Sequence, residues 1–144
     1  MSNEVSPFAK ASSDSIKVEL PVATESIQAG FPAPNGGYID GKLDVNEFLI
    51  SSPHSTYIYK VSGESMIDAG IMPGDYVLVD SSIEPSNGDV VVALVDGEYT
   101  IKELVLSNPP KLVPRNSEYA PVQITESSLV TIIGPVISVV RKYH

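Results

Sequence analysis

The chain has 144 residues, 42% hydrophobic and 19% charged, a composition typical of one folded domain with its own core. It contains no cysteine, which excludes disulfides, thiolate metal sites and cysteine-protease chemistry, and with only two histidines we expect no metal or cofactor. The net charge of −9 argues against direct binding to nucleic acid, because that affinity comes mainly from Lys and Arg on phosphates.

Residues 1–42 form the first segment, which is rich in Ser, Ala, Pro and Gly. Only Ile16-Lys17-Val18-Glu19-Leu20 alternates like a β-strand, and breaks follow at Phe31-Pro32-Ala33-Pro34 and Asn35-Gly36-Gly37. We interpret this segment as an extended N-terminal arm, although its composition also fits a disordered tail. The chain shows no signal-peptide pattern and no apolar run long enough to span a bilayer, so we expect a cytoplasmic protein without a membrane partner.

Residues 43–144 are predicted to form a compact, mostly β domain with one short helix. Asp44 and Glu47 have the spacing of a capping box, and the helix that they begin should end before Pro53. The turn Asp96-Gly97 predicts a two-residue hairpin, which pairs Val95 with Glu98 and Val91 with Lys102. Runs of β-branched and aromatic residues predict strands at Thr56 to Val61, Tyr76 to Val79, Val90 to Val95, Glu98 to Val105, Leu112-Val113, Val122 to Ile124 and Leu129 to Val140.

Ser65 is the candidate nucleophile, because it lies just after a predicted strand in the turn Gly63-Glu64-Ser65-Met66. Such a turn can direct backbone N–H groups beside the serine, at Glu64 and Met66, towards a developing oxyanion. Ile67 stands where the elbow of the α/β-hydrolases has its last glycine, so the chain does not carry that motif. On this spacing alone, a serine in a turn is more often structural than catalytic.

Three residues could act as a general base for Ser65. His144 is the terminal residue, where chains usually fray, and His54 lies in a loop that could approach the serine. Lys102 lies within an apolar run, where a lysine is either exposed on the strand or buried for a purpose, and the alternation pattern does not decide between them. A neutral lysine is a chemically sufficient base for a serine nucleophile.

Several motifs together resemble those of the LexA/UmuD family of self-cleaving proteins: Val61 to Ile71, Pro73-Gly74-Asp75, Val77 to Asp80, Gly88 to Ala93, Val95 to Lys102 and Leu112 to Asn116. The stretch Ser26 to Pro32 is similar to the family's cleavage site, and the resemblance runs from about Gln28 to the end of the chain. It implies that Ser65 is the nucleophile, that Lys102 is its general base, and that Ala29 and Gly30 flank the bond that is cut.

The resemblance is to the UmuD-like branch, because the residues before Ala29 are too few for the helix-turn-helix domain of LexA-type members. One feature departs from some UmuD proteins, which have Cys before the scissile Gly where this chain has Ala29. The branch implies a homodimer, cleavage promoted by the RecA filament on single-stranded DNA in the SOS response, and a shortened form that serves a UmuC-type translesion polymerase. Two alternatives stay open: a non-catalytic interaction module for a polymerase or filament, and a DNA-binding repressor fragment.

Overall fold

The computed structural model describes residues 4–14, 19–23 and 38–144. Within these residues the fold is mostly β with one short α-helix, as the sequence predicts. The strands are β1 Val5–Lys10, β2 Glu19–Ala23, β3 Tyr38–Asp44, β4 Thr56–Val61, β5 Tyr76–Asp80, β6 Val90–Val95, β7 Glu98–Val105, β8 Lys111–Val113, β9 Val122–Gln123 and β10 Val130–Val140, and helix α1 is Val45–Leu49. Eight strands form one antiparallel sheet in the order β1-β4-β5-β10-β6-β7-β8-β9, while β2 pairs with β3.

Helix α1 begins where the capping box predicts. The Asp44 side chain accepts a hydrogen bond from the Glu47 backbone N–H at 3.2 Å, which satisfies one of the free donors of the first turn. Ile50 is already extended, so the helix ends well before Pro53. Among the described residues, no helix is long and apolar enough to cross a membrane.

The β6–β7 hairpin has the predicted turn and register. Asp96 and Gly97 both have positive φ angles, 48° and 83°, which is the backbone of a type I′ turn. Val95 pairs with Glu98 and Val91 pairs with Lys102, as predicted. The hairpin therefore places Lys102 deep in the sheet, beside strands that are buried on both faces.

The core consists of two clusters that lie along the same strands. The larger one joins the turn after β4 to the strands around it, and its members are Val5, Tyr59, Val61, Met66, Ile71, Val77, Val79, Val92 and Ile101. The smaller one comprises Val91, Ala93, Leu104 and Leu112. Because successive residues of a strand point to opposite faces, burial of both Val91 and Val92 means that both faces of the sheet are covered here.

Strand β1 is a departure from the sequence prediction. It pairs antiparallel with β4, and Val5 is fully buried in the larger cluster, so part of the N-terminal segment belongs to the core. The sequence did not predict this strand because it contains Pro7, and proline is tolerated in strands only at edges and irregularities. Strand β1 is an edge strand, and its register shifts between Pro7 and Ala9. The predicted arm boundary after residue 42 is crossed by β3, and the division into arm and domain stays a prediction.

The apolar strand β10, which was a candidate for self-association through an edge or a face, lies inside the sheet. It pairs with β5 on one side and with β6 on the other, so both of its edges are occupied. Only its face and its flanks are accessible, including Leu129 and Val139, which are both exposed.

Candidate active site

Ser65 lies in the turn that follows β4, and this turn is anchored by the side chain of Met66. Met66 is buried in the larger core cluster. The Ser65 side chain is itself almost fully buried, and its Oγ donates a hydrogen bond to the carbonyl oxygen of Ile101 on β7 at 3.1 Å. Packing and hydrogen bonding thus hold the hydroxyl against the middle of β7.

Lys102 follows Ile101 on β7 and is only 6% exposed. Its Nζ donates to the same Ile101 carbonyl at 3.3 Å, to Thr100 Oγ1 at 2.7 Å and to a carboxylate oxygen of Glu4. The structure therefore brings the hydroxyl of Ser65 and the amine of Lys102 to one carbonyl oxygen. We call Ser65 and Lys102 the dyad.

Burial favours the neutral form of Lys102, which is the form that a general base needs. It lowers the pKa of Lys102, because a desolvated ammonium is less stable than a hydrated one, while the hydrogen bond and the charge of Glu4 oppose this effect. An exposed lysine, with a pKa near 10.4, is almost wholly protonated at neutral pH and cannot accept a proton. A lowered pKa increases the fraction of neutral amine.

The peptide bond before Ser65 is held by Asn116, which is buried and lies in the connection between β8 and β9. Asn116 Nδ2 donates to the Glu64 carbonyl at 2.8 Å. Because the N–H and C=O of a trans peptide point in opposite directions, this bond also fixes the direction of the Ser65 N–H. In the part of the chain described, no backbone carbonyl accepts a hydrogen bond from the N–H groups of Glu64, Ser65 or Met66. The role of Glu64 and Met66 as oxyanion donors stays a prediction, and the Ser65 N–H, whose direction Asn116 fixes, is a further candidate.

A cleft of about 830 Å³ opens beside the dyad. It is formed by the turn after β4, the β6–β7 hairpin and the β8–β9 connection, with Gly63, Val95, Tyr99, Lys102, Leu112 and Tyr119 among its lining residues. A cleft with this mixture of apolar and polar groups has room for a short extended peptide.

Among the described residues, no hydrogen bond joins either histidine to Ser65, whose Oγ donates to Ile101. His54 is exposed in a 3₁₀ turn that leads into the start of β4, whereas Ser65 follows the end of that strand, about 20 Å further along the chain. His144 is exposed at the C-terminus. Ala29 and Gly30 lie outside the described residues, and their role as the scissile pair stays a prediction.

Three contacts of the site were missed in the sequence. Thr100 could have been found, because residues two apart on a strand share a face, and it lies two residues before Lys102. Asn116 ends the motif Leu112 to Asn116, but no local pattern assigns it a partner. Glu4 gave no signal at all, because it lies 98 residues before its partner Lys102.

The comparison with known proteins decides the family. The model of the family described as Peptidase S24-like matches residues 21–137. The chain belongs to this family. The matched region of this S24-like chain includes both dyad residues and Asn116, whereas Glu4 and β1 lie outside it.

Three proteins that are similar to the S24-like chain show the range of its relatives. Protein ImpA of Salmonella typhimurium is 44% identical over 94 residues, covering 65% of this chain and 65% of ImpA. Protein MucA of Escherichia coli is 40% identical over 100 residues, covering 69% of this chain and 68% of MucA. The LexA repressor of Anaeromyxobacter sp. (strain Fw109-5) is 32% identical over 148 residues, covering 97% of this chain and 64% of the repressor.

These relatives confirm the expected LexA/UmuD family and its UmuD-like branch. The match spans about two-thirds of the length of the curated relatives.

Proposed function

We propose that this chain is a self-cleaving serine protease that cuts its own Ala29–Gly30 bond, with Ser65 as nucleophile and Lys102 as general base. The observation that carries the proposal is the convergence of two buried groups, Ser65 Oγ and Lys102 Nζ, on the carbonyl of Ile101. Membership of the peptidase S24-like family supports it.

The chemistry proceeds in two halves. Neutral Lys102 accepts the hydroxyl proton of Ser65 while Oγ attacks the carbonyl carbon of Ala29. The N–H groups of Ser65 and Met66 stabilise the oxyanion. The intermediate collapses, the Lys102 ammonium returns the proton to the leaving amine of Gly30, and Ser65 holds an acyl ester. Water, deprotonated by Lys102, then hydrolyses this ester to free Ser65 and a carboxylate on Ala29.

The proposed cleavage segment suits the cleft. Ala29 and Gly30 have the smallest side chains, and Pro32 and Pro34 favour an extended backbone. The chain between Gly30 and Ser65 is long enough for attack within one molecule or on a partner.

The wider role that we propose follows the UmuD-like branch. In the cytoplasm, a RecA filament on single-stranded DNA promotes the cut during the SOS response to DNA damage. The shortened form, as a homodimer, then serves as accessory subunit of a UmuC-type error-prone polymerase in translesion synthesis. With its net charge of −9, the chain would reach DNA through these protein partners.

The test is mass spectrometry of purified protein held at mildly alkaline pH. We expect a new N-terminus at Gly30, no cut in Ser65→Ala, and a normal cut in the control Ser117→Ala, which changes an exposed serine. A bulky residue in place of Gly30 should also block the cut. A dominant cut elsewhere would contradict the assigned bond, and a persistently intact wild-type chain would favour the non-catalytic interaction module.

A further inference from the structure

Glu4 joins the N-terminal segment to the site through its backbone. Its N–H donates to the Tyr99 carbonyl on β7 at 3.1 Å. Its carbonyl accepts hydrogen bonds from the N–H groups of Ser62 and Gly63 at 2.8 and 3.0 Å, in the turn that carries Ser65. This residue therefore bridges the two elements that supply the dyad.

The Glu4 side chain enters the dyad pocket, where several donors converge on one carboxylate oxygen. Oε2 accepts hydrogen bonds from Lys102 Nζ, from Thr100 Oγ1 and, at 3.4 Å, from the Ile101 N–H. Burial raises the pKa of Glu4, but the bonds from Lys102 and Thr100, the Lys102 charge and a contact with Ser65 bring it below its ordinary value. The group is therefore a carboxylate at neutral pH.

The turn before Ser65 fits closely around this side chain. A Cβ built on Gly63 would lie 3.0 Å from both Cβ and Cγ of Glu4, closer than carbon atoms normally pack. A larger residue in place of Gly63 would therefore require the Glu4 side chain to shift by about a few tenths of an ångström.

With Glu4 in place, the dyad is in a resting arrangement. Lys102 Nζ has three acceptors among the described residues, namely Glu4, Thr100 and the Ile101 carbonyl. An ammonium has three N–H bonds to match them and no lone pair for a further proton. The Ser65 hydroxyl meanwhile donates to the Ile101 carbonyl.

We propose that the dyad pocket is a carboxylate-binding site whose resident ligand is Glu4 of the same chain, and that this carboxylate leaves before a peptide bond can be cut. The inference rests on the proposed function and deepens it. Family membership does not supply it, because Glu4 lies outside the matched residues 21–137. Hydrolysis would itself generate a second ligand of this class, the new carboxylate of Ala29.

The Glu4 carboxylate places a negative charge directly against Lys102. The cleft also carries Asp96, Glu98 and Tyr99 from the β6–β7 hairpin, and Tyr119 from the β8–β9 connection. Of the groups that the structure describes, only the Glu4 carboxylate forms an ion pair with Lys102.

The first experiment compares self-cleavage rates at neutral pH. Glu4→Gln keeps the size of the side chain and removes its charge. An adjacent opposite charge shifts a pKa by about 1–3 units, so loss of the Glu4 charge should lower the pKa of Lys102. The larger fraction of neutral Lys102 should raise the cleavage rate at least about tenfold. Glu4→Ala should do the same, while Glu126→Gln, a change of an exposed carboxylate, should leave the rate unchanged. Unchanged or slower cleavage in both Glu4 variants would overturn the proposal.

The second experiment tests the ligand class with acetate as the probe. Sodium acetate should slow self-cleavage of Glu4→Ala more than sodium chloride of the same concentration, and should affect the wild type much less. Equal effects of the two salts on Glu4→Ala would overturn the assignment of a carboxylate site.

The third experiment separates this inference from the proposed function. In the uncleavable Ser65→Ala background, NMR titration of labelled lysine should give a lower pKa for Lys102 when Glu4 is replaced by Gln. An unchanged pKa would show that Glu4 does not contact Lys102 in solution. A failure of the proposed function would appear instead as an intact wild-type chain, and the titration would still judge Glu4.

Discussion

Asn116 Nδ2 donates a 2.8 Å hydrogen bond to the carbonyl of Glu64, the residue just before the proposed nucleophile. The side chain is held in turn by the Glu118 N–H, which donates to Asn116 Oδ1 at 3.0 Å. A loop far along the chain from Ser65 thus sets the orientation of the Glu64–Ser65 peptide, on which the proposed oxyanion site depends.

We expect Asn116→Ala to slow self-cleavage about three- to tenfold, since one hydrogen bond contributes about 0.5–1.5 kcal/mol. Asn116→Asp should be slower still, because a carboxylate repels the Glu64 carbonyl. Cleavage rate and the rate at which a small fluorophosphonate labels Ser65 should fall together, while Ser117→Ala should change neither. A labelling rate equal to that of the wild type would show that Asn116 does not position the serine.

The self-cleavage rate should rise with pH, because only the neutral amine of Lys102 can accept the Ser65 proton. The rate should increase about tenfold per pH unit and level off above the folded pKa, which burial places below the ordinary lysine value. The measurement is the rate of appearance of the cut product between neutral and alkaline pH.

Two variants serve as controls for this profile. Lys102→Arg keeps the charge but cannot deprotonate, so it should be as inactive as Lys102→Ala. His54→Ala should cleave normally, whereas a histidine base would give a plateau near neutral pH. Substantial cleavage by Lys102→Arg would disprove the assignment of Lys102 as the base.

Asp80 should make the stability of the fold sensitive to acid. It is almost fully buried, and Oδ1 accepts hydrogen bonds from Ser55 Oγ at 2.7 Å and from the Ser82 N–H at 2.9 Å. Burial raises its pKa, but these bonds bring it below the ordinary value. The ionised group therefore stabilises the fold above the unfolded pKa, near 3.9, and this contribution is lost as the pH falls through the folded pKa.

We expect Asp80→Asn to lower the free energy of unfolding at pH 7 by about 1–3 kcal/mol. Stability should then depend less on pH below about pH 4. Some dependence should persist, because Asp75, bonded to Arg141, also has a lowered pKa. Urea titrations at several pH values measure both effects, and an unchanged acid dependence in the variant would refute the role of Asp80.

The fourth prediction is a homodimer. Its interface should use a face of the sheet, because both edges of β10 are already paired. At micromolar concentration, light scattering should give twice the 15.4 kDa of one chain. If Leu129 lies in the interface, Leu129→Lys should raise the dimer dissociation constant at least about tenfold, since burying a leucine contributes about 1.5–3 kcal/mol. Leu106→Lys changes another exposed leucine and serves as the control. A particle of 15.4 kDa at high concentration would count against self-association.

Local patterns predicted the strands from β4 to β10, because most of them are rich in β-branched and aromatic residues and lie between turn signals. The register of Lys102 opposite Val91 followed from the Asp96-Gly97 turn alone. The burial of Lys102 did not follow, because alternation along one strand does not show what covers its faces.

The N-terminal contacts could not be predicted for a different reason. Val5 pairs with Val61, and Glu4 contacts Lys102, which is 98 residues further along the chain. No sequence period records such separations. Pro7 also weakens the strand signal of residues 5–10.

Strand β1 lies before the proposed cut but is held to β4 by backbone hydrogen bonds rather than by the Ala29–Gly30 bond. Cutting that bond would leave strand β1 paired with β4, because the reaction breaks no hydrogen bond of β1. The cut changes the effective concentration of the N-terminal fragment that carries β1. Before the cut this fragment is tethered to the domain, and after it the fragment is a free peptide at its bulk concentration. The Glu4 carboxylate must leave the dyad pocket before the cut, whereas strand β1 dissociates only after it, with a delay set by the dissociation rate of a short edge strand.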